Sequence, residues 1–339
     1  MRAVGYQSPL PIDDPDALQD IELPEPVPGG RDLLVEIRAV SVNPVDTKVR
    51  RSAVPEPGQW RVLGWDAAGI VKATGPDVRH FAVGDDVFYA GALQRSGTNA
   101  QFHLVDERIV GRKPASLDWA QAAALPLTAI TAWEMMFDRL ELRRPVAGTV
   151  PSLLIVGGAG GVGSIAIQLA RALTDLAVIA TASRSETREW VRALGAHHVI
   201  DHRNGLADQV ARLPTGAPGF VFSTTQTCRH YADIVTLLAP QGRFGLTDDP
   251  DELDALPLKR KSLSLHWELM FTRSMFETAD MAEQGVVLNE IAALVDRGRI
   301  RTTLGENMGP INAGNLRRAH ALIESGRAKG KIVLAGFGA

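Results

Sequence analysis

The stretch that most constrains this chain is 151–184, PSLLIVGGAGGVGSIAIQLARALTDLAVIATASR, which reads as strand, glycine turn, helix, strand. Gly158, Gly160 and Gly163 give the spacing G-x-G-x-x-G between an apolar run and an apolar-periodic segment. Alone that spacing says little, but inside a strand–turn–helix–strand unit it is specific. Gly158 is expected to allow the tight turn, Gly160 to let backbone approach a pyrophosphate, and Gly163 to let the helix pack close to the strand. The N–H groups that head the helix, at Gly161, Val162 and Gly163, then favour a phosphate, helped by the helix dipole. With both flanking strands present, the stretch reads as a dinucleotide-binding unit rather than a ligand-free glycine turn.

Apolar side chains follow at Val162, Ile165, Ala166, Leu169, Ala170 and Leu173, the spacing of a buried helical stripe. A second strand at 177–183 leads to a helix at 185–195, with Ser185 at its start and Gly195 just past its end. Further apolar runs at 197–201, 218–224, 242–246 and 261–269 read as strands, with a helix within 228–240. Strands alternating with helices imply an α/β fold with a doubly wound parallel sheet, the Rossmann arrangement. Ligands of such sheets lie at the carboxyl ends of the strands, so the backbone of Phe222, Ser223, Thr224, Gly245 and Leu246 is placed against a nicotinamide.

Residues 1–115 look different. LLVEIRAVSV (33–42) alternates like a strand, and 67–74, 85–90 and 100–105 are further short strands between glycine and proline turns. That punctuation suggests a small rolled or barrel-like β domain. An alanine-rich helical segment at 116–140 is interrupted by Pro126, with Ser116 or Asp118 as its cap. The tail returns to two amphipathic helices, 280–300 and 312–328, and a last strand, 331–337.

A length of 339 residues suggests about two domains. The net charge of −3 gives no reason to expect nucleic acid or an anionic membrane as a partner. The first residues lack the basic start and apolar core of a signal peptide, and no apolar run is long enough to span a bilayer. Cys228 is the single cysteine, so neither an internal disulfide nor a cysteine-built zinc site is expected, and a reducing, cytoplasmic setting fits.

Rossmann units that prefer NAD usually close the second strand with an acidic residue for the ribose 2′-hydroxyl. Here that strand closes with Ser183 and Arg184, a hydroxyl and a guanidinium that suit a 2′-phosphate, and His202 after the third strand adds a donor. Glu186 argues the other way, though an acid there also serves a helix start. The expected cofactor is NADPH.

The order of a β-rich domain, a Rossmann domain and a returning tail resembles the medium-chain dehydrogenase/reductase superfamily. The resemblance rests on SVNPVDTKVRRS (41–52), VLGWDAAGIV (62–71), ALPLTAITAWEMM (124–136), GGAGGVGSIAIQLA (157–170), LGAHHVID (194–201) and GKIVL (330–334). The N-P-x-D segment is similar to that of the zinc-free quinone oxidoreductase branch, the zeta-crystallin-like enzymes, in the subgroup labelled zinc-type alcohol dehydrogenase-like. The resemblance implies a GroES-like catalytic domain at 1–125, completed by 276–339, and a Rossmann NADPH-binding domain at 126–275. It also implies Thr128 near the nicotinamide and a homodimer built through the 261–271 strand.

Zinc-dependent relatives carry a cysteine ligand where this chain has Pro44, and Gly-His-Glu where it has Gly64-Trp65-Asp66. A catalytic zinc needs three protein ligands, and His80, His103 and Asp66 match no ligand pattern, so no metal is expected. Without a Lewis acid the hydride acceptor must itself be electrophilic. The resemblance implies NADPH-dependent reduction of quinones or α,β-unsaturated carbonyls. Candidate groups near the substrate oxygen are Asn43, Asp46 and Lys48. Read in isolation, Asn43 and Asp46 equally suit a turn or a backbone cap, and Lys48 a solvent-facing strand end. A zinc-dependent alcohol dehydrogenase and a non-enzymatic NADPH-binding protein are the rival functions.

Overall fold

The computed structural model describes residues 1–338. The chain forms two compact units, one of residues 1–130 and 271–339 and one of 131–270. The crossings fall within five residues of the positions expected at 125/126 and 275/276.

The first unit opens with β1 (Arg2–Tyr6) and β2 (Gln19–Glu22), which pair antiparallel. The long strand β3 (Asp32–Val42) leads through Asn43 into helix α1 (Pro44–Ser52). The short strand β4 (Arg61–Val62) joins β1 in a three-stranded sheet. Strands β5 (Ala67–Thr74), β6 (Asp86–Tyr89), β7 (Phe102–Asp106) and β8 (Val110–Arg112) follow. Helices α2 (Trp119–Ala123) and α3 (Pro126–Trp133) are separated at Pro126, as the missing proline N–H requires, and a π-helical turn continues α3 over Glu134–Arg139. Asp118, not Ser116, caps α2; its carboxylate accepts from Gln121 N at 2.7 Å.

The second unit is a six-stranded sheet, every pairing of which is parallel. Its strands are β9 (Ser152–Val156), β10 (Ala177–Thr181), β11 (His198–Ile200), β12 (Phe220–Ser223), β13 (Arg243–Leu246) and β14 (Ser264–Trp267). They lie in the order β11-β10-β9-β12-β13-β14. Helices α4 (Gly161–Leu173), α5 (Ser185–Ala193), α6 (Leu206–Ala211) and α7 (Thr227–Leu237) make the crossovers. The winding reverses between β9 and β12, so the crevice for a ligand opens at their carboxyl ends.

Burial in α4 extends beyond the expected stripe. Val162 and Leu173 are only half-buried, whereas Ser164, Ile167 and Gln168 are buried. One cause is visible: Trp190 of α5 donates from Nε1 to Ser164 Oγ at 2.8 Å and covers that side. Ile165, Ile167 and Leu169 are fully buried, each contributing about 1.5–3 kcal/mol.

The chain then returns to the first unit as α8 (Thr272–Met275), α9 (Glu283–Asp296), β15 (Leu304–Asn307), α10 (Ala313–Glu324) and β16 (Lys331–Ala335). Strand β16 pairs antiparallel with β3, Leu334 opposite Val40, and so joins the seven-stranded sheet whose main path runs β15-β16-β3-β5-β6-β8. The tail therefore does complete the first domain. The elements without a sequence signal are mostly short ones, β1, β2, β4, β8, α6, α8 and β15, together with the nine-residue α1, where Lys48 was expected at a strand end.

Candidate functional site

In the second unit the glycine turn follows β9 directly. The left-handed backbone falls on Gly157, with φ +83°, one residue before the glycine expected to make the turn. Gly158 is needed for space instead, because a Cβ there would stand 2.9 Å from the Cβ of Ala180 on β10. Gly163 does what its position promised: a Cβ would lie 2.3 Å from Gly157 O, so the helix could not approach the turn. Gly160 caps α4 and has only Gly157 O nearby, at 3.5 Å from a Cβ, so its open side is free for a ligand. Thr181 Oγ1 accepts from Gly157 N at 2.9 Å and ties the turn to β10. The amides of Gly161, Val162 and Gly163 head the helix, where no intrahelical acceptor reaches them. This cradle fits a dinucleotide.

Beside it, at the end of β10, Arg184 turns its Nε toward Glu186 Oε1 at 3.1 Å. The acid that argued against a phosphate is thus the arginine's own partner. Arg203 holds Asp201 and also donates to Ser183 O at 3.2 Å. His202 is half-buried, its ring 6.4 Å from that of His230 on α7. At the end of β12, Thr224 Oγ1 donates to Val156 O at 2.8 Å, and Ser223 Oγ lies 2.8 Å from Thr227 Oγ1. The side chains of Phe222 and Leu246 are core, and Gly245 faces Met135, so these positions offer a ligand backbone only.

In the first unit a buried polar cluster surrounds Asp66. Its Oδ1 accepts from Leu127 N at 2.7 Å at the start of α3. Its Oδ2 accepts from Ser41 Oγ at 2.7 Å, Asn43 Nδ2 at 2.8 Å and Lys331 Nζ at 3.0 Å. Lys331 Nζ also donates to Val42 O at 3.1 Å and to Asn43 Oδ1. Asp66 is wholly buried and Lys331 3% exposed, so the pair is fully desolvated. Asp46 completes the group as the third residue of α1, its carboxylate accepting from Asn43 N at 2.6 Å while its own N–H donates to Asn43 O at 3.0 Å. Burial above all pushes the Asp46 carboxyl up to about 7, although the Asn43 N–H and Lys331 pull it down.

The structure therefore places the three candidate catalytic residues differently. Asn43 and Asp46 are buried, and Asn43 engages both its amide oxygen and its amide nitrogen within the chain. Asp46 caps the start of α1 through the Asn43 N–H, while the Asn43 side chain bridges Asp66 and Lys331. Lys48 is exposed, and it sits on α1 rather than at a strand end. Thr128 is buried on α3, donating to Leu125 O at 3.1 Å. Trp65 is core, its Nε1 donating to Ala92 O at 3.2 Å. His103 is buried between Tyr89 and Ser96 O, and desolvation drives it down to about 4. Lys331 carried no sequence expectation; the available signal was a lysine opening the apolar run KIVLAGF.

Residues 29–115 match the family described as alcohol dehydrogenase GroES-like domain, and residues 194–334 the one described as zinc-binding dehydrogenase. A zinc-type alcohol dehydrogenase-like protein of Staphylococcus aureus (strain COL) is 38% identical over 336 residues, covering 98% of this chain and 99% of that protein. The chain belongs to the medium-chain dehydrogenase/reductase superfamily. The superfamily's oxidoreductases here include a mitochondrial NAD(P)H oxidoreductase of Homo sapiens, 31% identical over 337 residues, covering 89% of this chain and 81% of that protein. A solved structure from Rhizobium etli CFN 42, described as a putative zinc-dependent alcohol dehydrogenase, is 65% identical with a TM-score of 0.98 over 100% of this chain and 99% of that one. Three bacterial quinone oxidoreductases of known structure, each 24% identical, share the fold.

Several of these names imply zinc, and the residues here do not fit it. Pro44 offers no donor atom, the Trp65 indole is committed to Ala92 O, and the Asp66 oxygens already accept four hydrogen bonds, one from an ammonium. Among the described residues no group of three or more His, Cys, Asp or Glu side chains could hold a metal ion.

Proposed function

We propose that this member of the superfamily is a zinc-independent, NADPH-dependent oxidoreductase that reduces quinones or α,β-unsaturated carbonyls. The observation that carries the reading is the Lys331 ammonium on Asp66, a fixed cation against the residue that stands in the segment where zinc-dependent relatives carry Gly-His-Glu. An ammonium whose donors are spent on Val42 O, Asn43 and Asp66 cannot act as a Lewis acid toward a substrate. The substrate must then be electrophilic without help from a metal.

Bound NADPH supplies the hydride. The chain's part is to hold and orient: the Gly157–Gly163 turn and the amides heading α4 take the pyrophosphate, and Ser183, Arg184 and His202 the 2′-phosphate. An enone that accepts hydride at its β-carbon becomes an enolate, and a quinone becomes an aromatic oxyanion. Either oxygen needs a donor, for which Lys48 is our candidate, an exposed cationic residue on α1. A proton on the enolate carbon, or on the quinol oxygen, completes the reduction.

The free, exposed Cys228 fits a reducing, cytoplasmic setting, and among the described residues no helix is long and apolar enough to cross a membrane. We also propose a homodimer. Strand β14 is an edge of the six-stranded sheet, and its last residue Trp267 and the nearby Leu269 are half exposed, so a second copy can extend the sheet.

The test is a substrate panel of quinones, enones, alkenals and simple aldehydes, followed by NADPH oxidation, with metal analysis of the same sample. Turnover confined to the conjugated acceptors, unchanged by chelation, is expected. Stoichiometric zinc with loss of activity on chelation would establish the zinc dehydrogenase instead, and cofactor binding without turnover of any acceptor would establish a non-enzymatic role.

A further inference from the structure

The charged surroundings of His202 reach further than the sequence suggested. The His202 and His230 rings meet edge to face, at 62°. Two neighbours have carried no role so far: His230 and Arg229, both near the start of α7. Arg229, Arg203 and Arg184 all act electrostatically on His202, and they come from three separate segments. The opposing charges are Asp201 on His202, and Asp233 and Asp248 on His230. Each of these acids is already engaged: Asp201 by Arg203, Asp233 by Leu206 N at 2.6 Å, and Asp248 by Thr227 N at 2.8 Å. Arg184 is paired with Glu186 and Arg203 with Asp201, whereas Arg229 is exposed and makes no ion pair among the described residues.

Such a place suits a dianion. Two imidazoles sit among three guanidiniums, and neither ring hydrogen-bonds to the chain among the described residues. Burial first, and then the arginines, hold His202 below its usual value; burial first, and then His202 and Arg229, do the same for His230. Both rings are therefore largely neutral near pH 7. A phosphate monoester is close to dianionic there, its second ionisation lying near pH 6. A dianion beside a neutral imidazole favours the charged form of that imidazole.

We propose that His230 and Arg229 are specificity-determining residues for the 2′-phosphate, and that this phosphate binds together with a proton taken up by the His202–His230 pair. The inference rests on the NADPH reading above. His202 and Arg229 touch the phosphate beside Ser183 and Arg184. His230, 5% exposed and behind His202, is a positioning residue that shares the proton. The sign follows from linkage. The histidines have a higher pKa in the complex than in the free protein, so affinity is greatest at the acid side and is lost as pH rises. The phosphate's own ionisation works in the opposite direction, but is complete by about pH 7. Above pH 7 only the histidines remain to give a slope, of up to about tenfold in Kd per pH unit per proton.

The experiment is calorimetric titration of the full chain with NADPH and with NADH at pH 7.0, 7.5 and 8.5, in buffers of contrasting ionisation enthalpy. Net proton uptake and a threefold to tenfold weakening per pH unit are expected for NADPH, and neither for NADH, at the upper limit set by one linked proton. His230→Gln should flatten the NADPH profile and leave NADH binding unchanged, which also shows that the variant is folded. Arg229→Gln should weaken NADPH several-fold, again without changing NADH. Preferred NADPH binding with no proton uptake, or a His230→Gln profile like that of the parent, overturns the proposal while leaving the NADPH reading intact. Equal binding of NADPH and NADH at pH 7 overturns that reading itself, and the proposal with it.

Discussion

Replacing Lys331 by Met tests whether the ammonium is the counter-charge on which the first unit depends. Methionine keeps the length and fills the same space, but removes three hydrogen bonds, to Val42 O, Asn43 Oδ1 and Asp66 Oδ2. Asp66 is left with Ser41, Asn43 and the Leu127 amide, and with its charge uncompensated in a site without solvent exposure. Breaking a buried pair by removing one partner costs about 3–5 kcal/mol, chiefly because the other charge stays behind. Removing both charges should cost far less, so Lys331→Met/Asp66→Asn should recover about 1.5 kcal/mol or more of that loss. The assay is denaturant unfolding of the full chain, with hydrogen exchange on β3 and β16 to assign the transition to the first unit. Because a chain of two units need not unfold in one step, the midpoint of that transition is the quantity compared. If the single variant unfolds with the parent, or the double variant is weaker than the single, the ammonium is not what neutralises Asp66 and the argument against a metal loses its ground.

The other predictions concern neighbouring groups. Asp46 has a folded-state pKa raised from 3.8 to about 7, so its contribution is complete below about pH 4 and is lost as pH climbs through about 7. The full loss is at most about 4 kcal/mol; the thermal midpoint should fall between pH 5 and pH 8 in the parent and stay level in Asp46→Asn, and parallel profiles would contradict this. Lys48→Ala should lower turnover with an enone by about a hundredfold at unchanged NADPH affinity, whereas unchanged turnover would return Lys48 to the solvated lysines. Arg184→Ala should weaken NADPH by about tenfold and NADH hardly at all; equal losses in stopped-flow binding would remove Arg184 from the phosphate site. Gly163→Ala should abolish binding of both cofactors, because the Cβ would meet backbone at Gly157 and Gly158 with nowhere to move.

What the sequence made legible follows from how locally each feature is specified. The crossover unit at 151–184 was readable because strand, turn and helix are consecutive and each has its own period. The position of the left-handed residue was not, since a spacing rule counts glycines without saying which of Gly157 and Gly158 carries positive φ. The cap of α2 was open between Ser116 and Asp118, and Asp118 takes it through the reciprocal partner Gln121 three residues on. Asn43 and Asp46 matched a cap and a catalytic pair equally well. Their burial beside Lys331, which lies 288 residues from Asn43 in sequence, had no local signal at all. The His202–His230 contact is equally invisible to periodicity, because it joins the end of one crossover to the helix of the next.

The same distance effect explains why Pro44 and Trp65 were easy to single out in the sequence and the Lys331–Asp66 pair was not. An absent cysteine is a fact about one position. A lysine that neutralises a buried carboxylate is a fact about four segments brought together: β3, the turn at Asp66, the start of α3 and β16. Asp66 holds the start of α1 through Asn43 and the start of α3 through the Leu127 amide. Lys48 and Thr128 each lie within a turn or two of those anchors. One neutralised carboxylate therefore sets the position of both segments within this unit. A bound metal at that point would have to displace the ammonium or strip Asp66 of the bonds that fix α1 and α3. Zinc at this carboxylate and this set of hydrogen bonds are thus alternatives, and metal analysis of the purified chain decides between them.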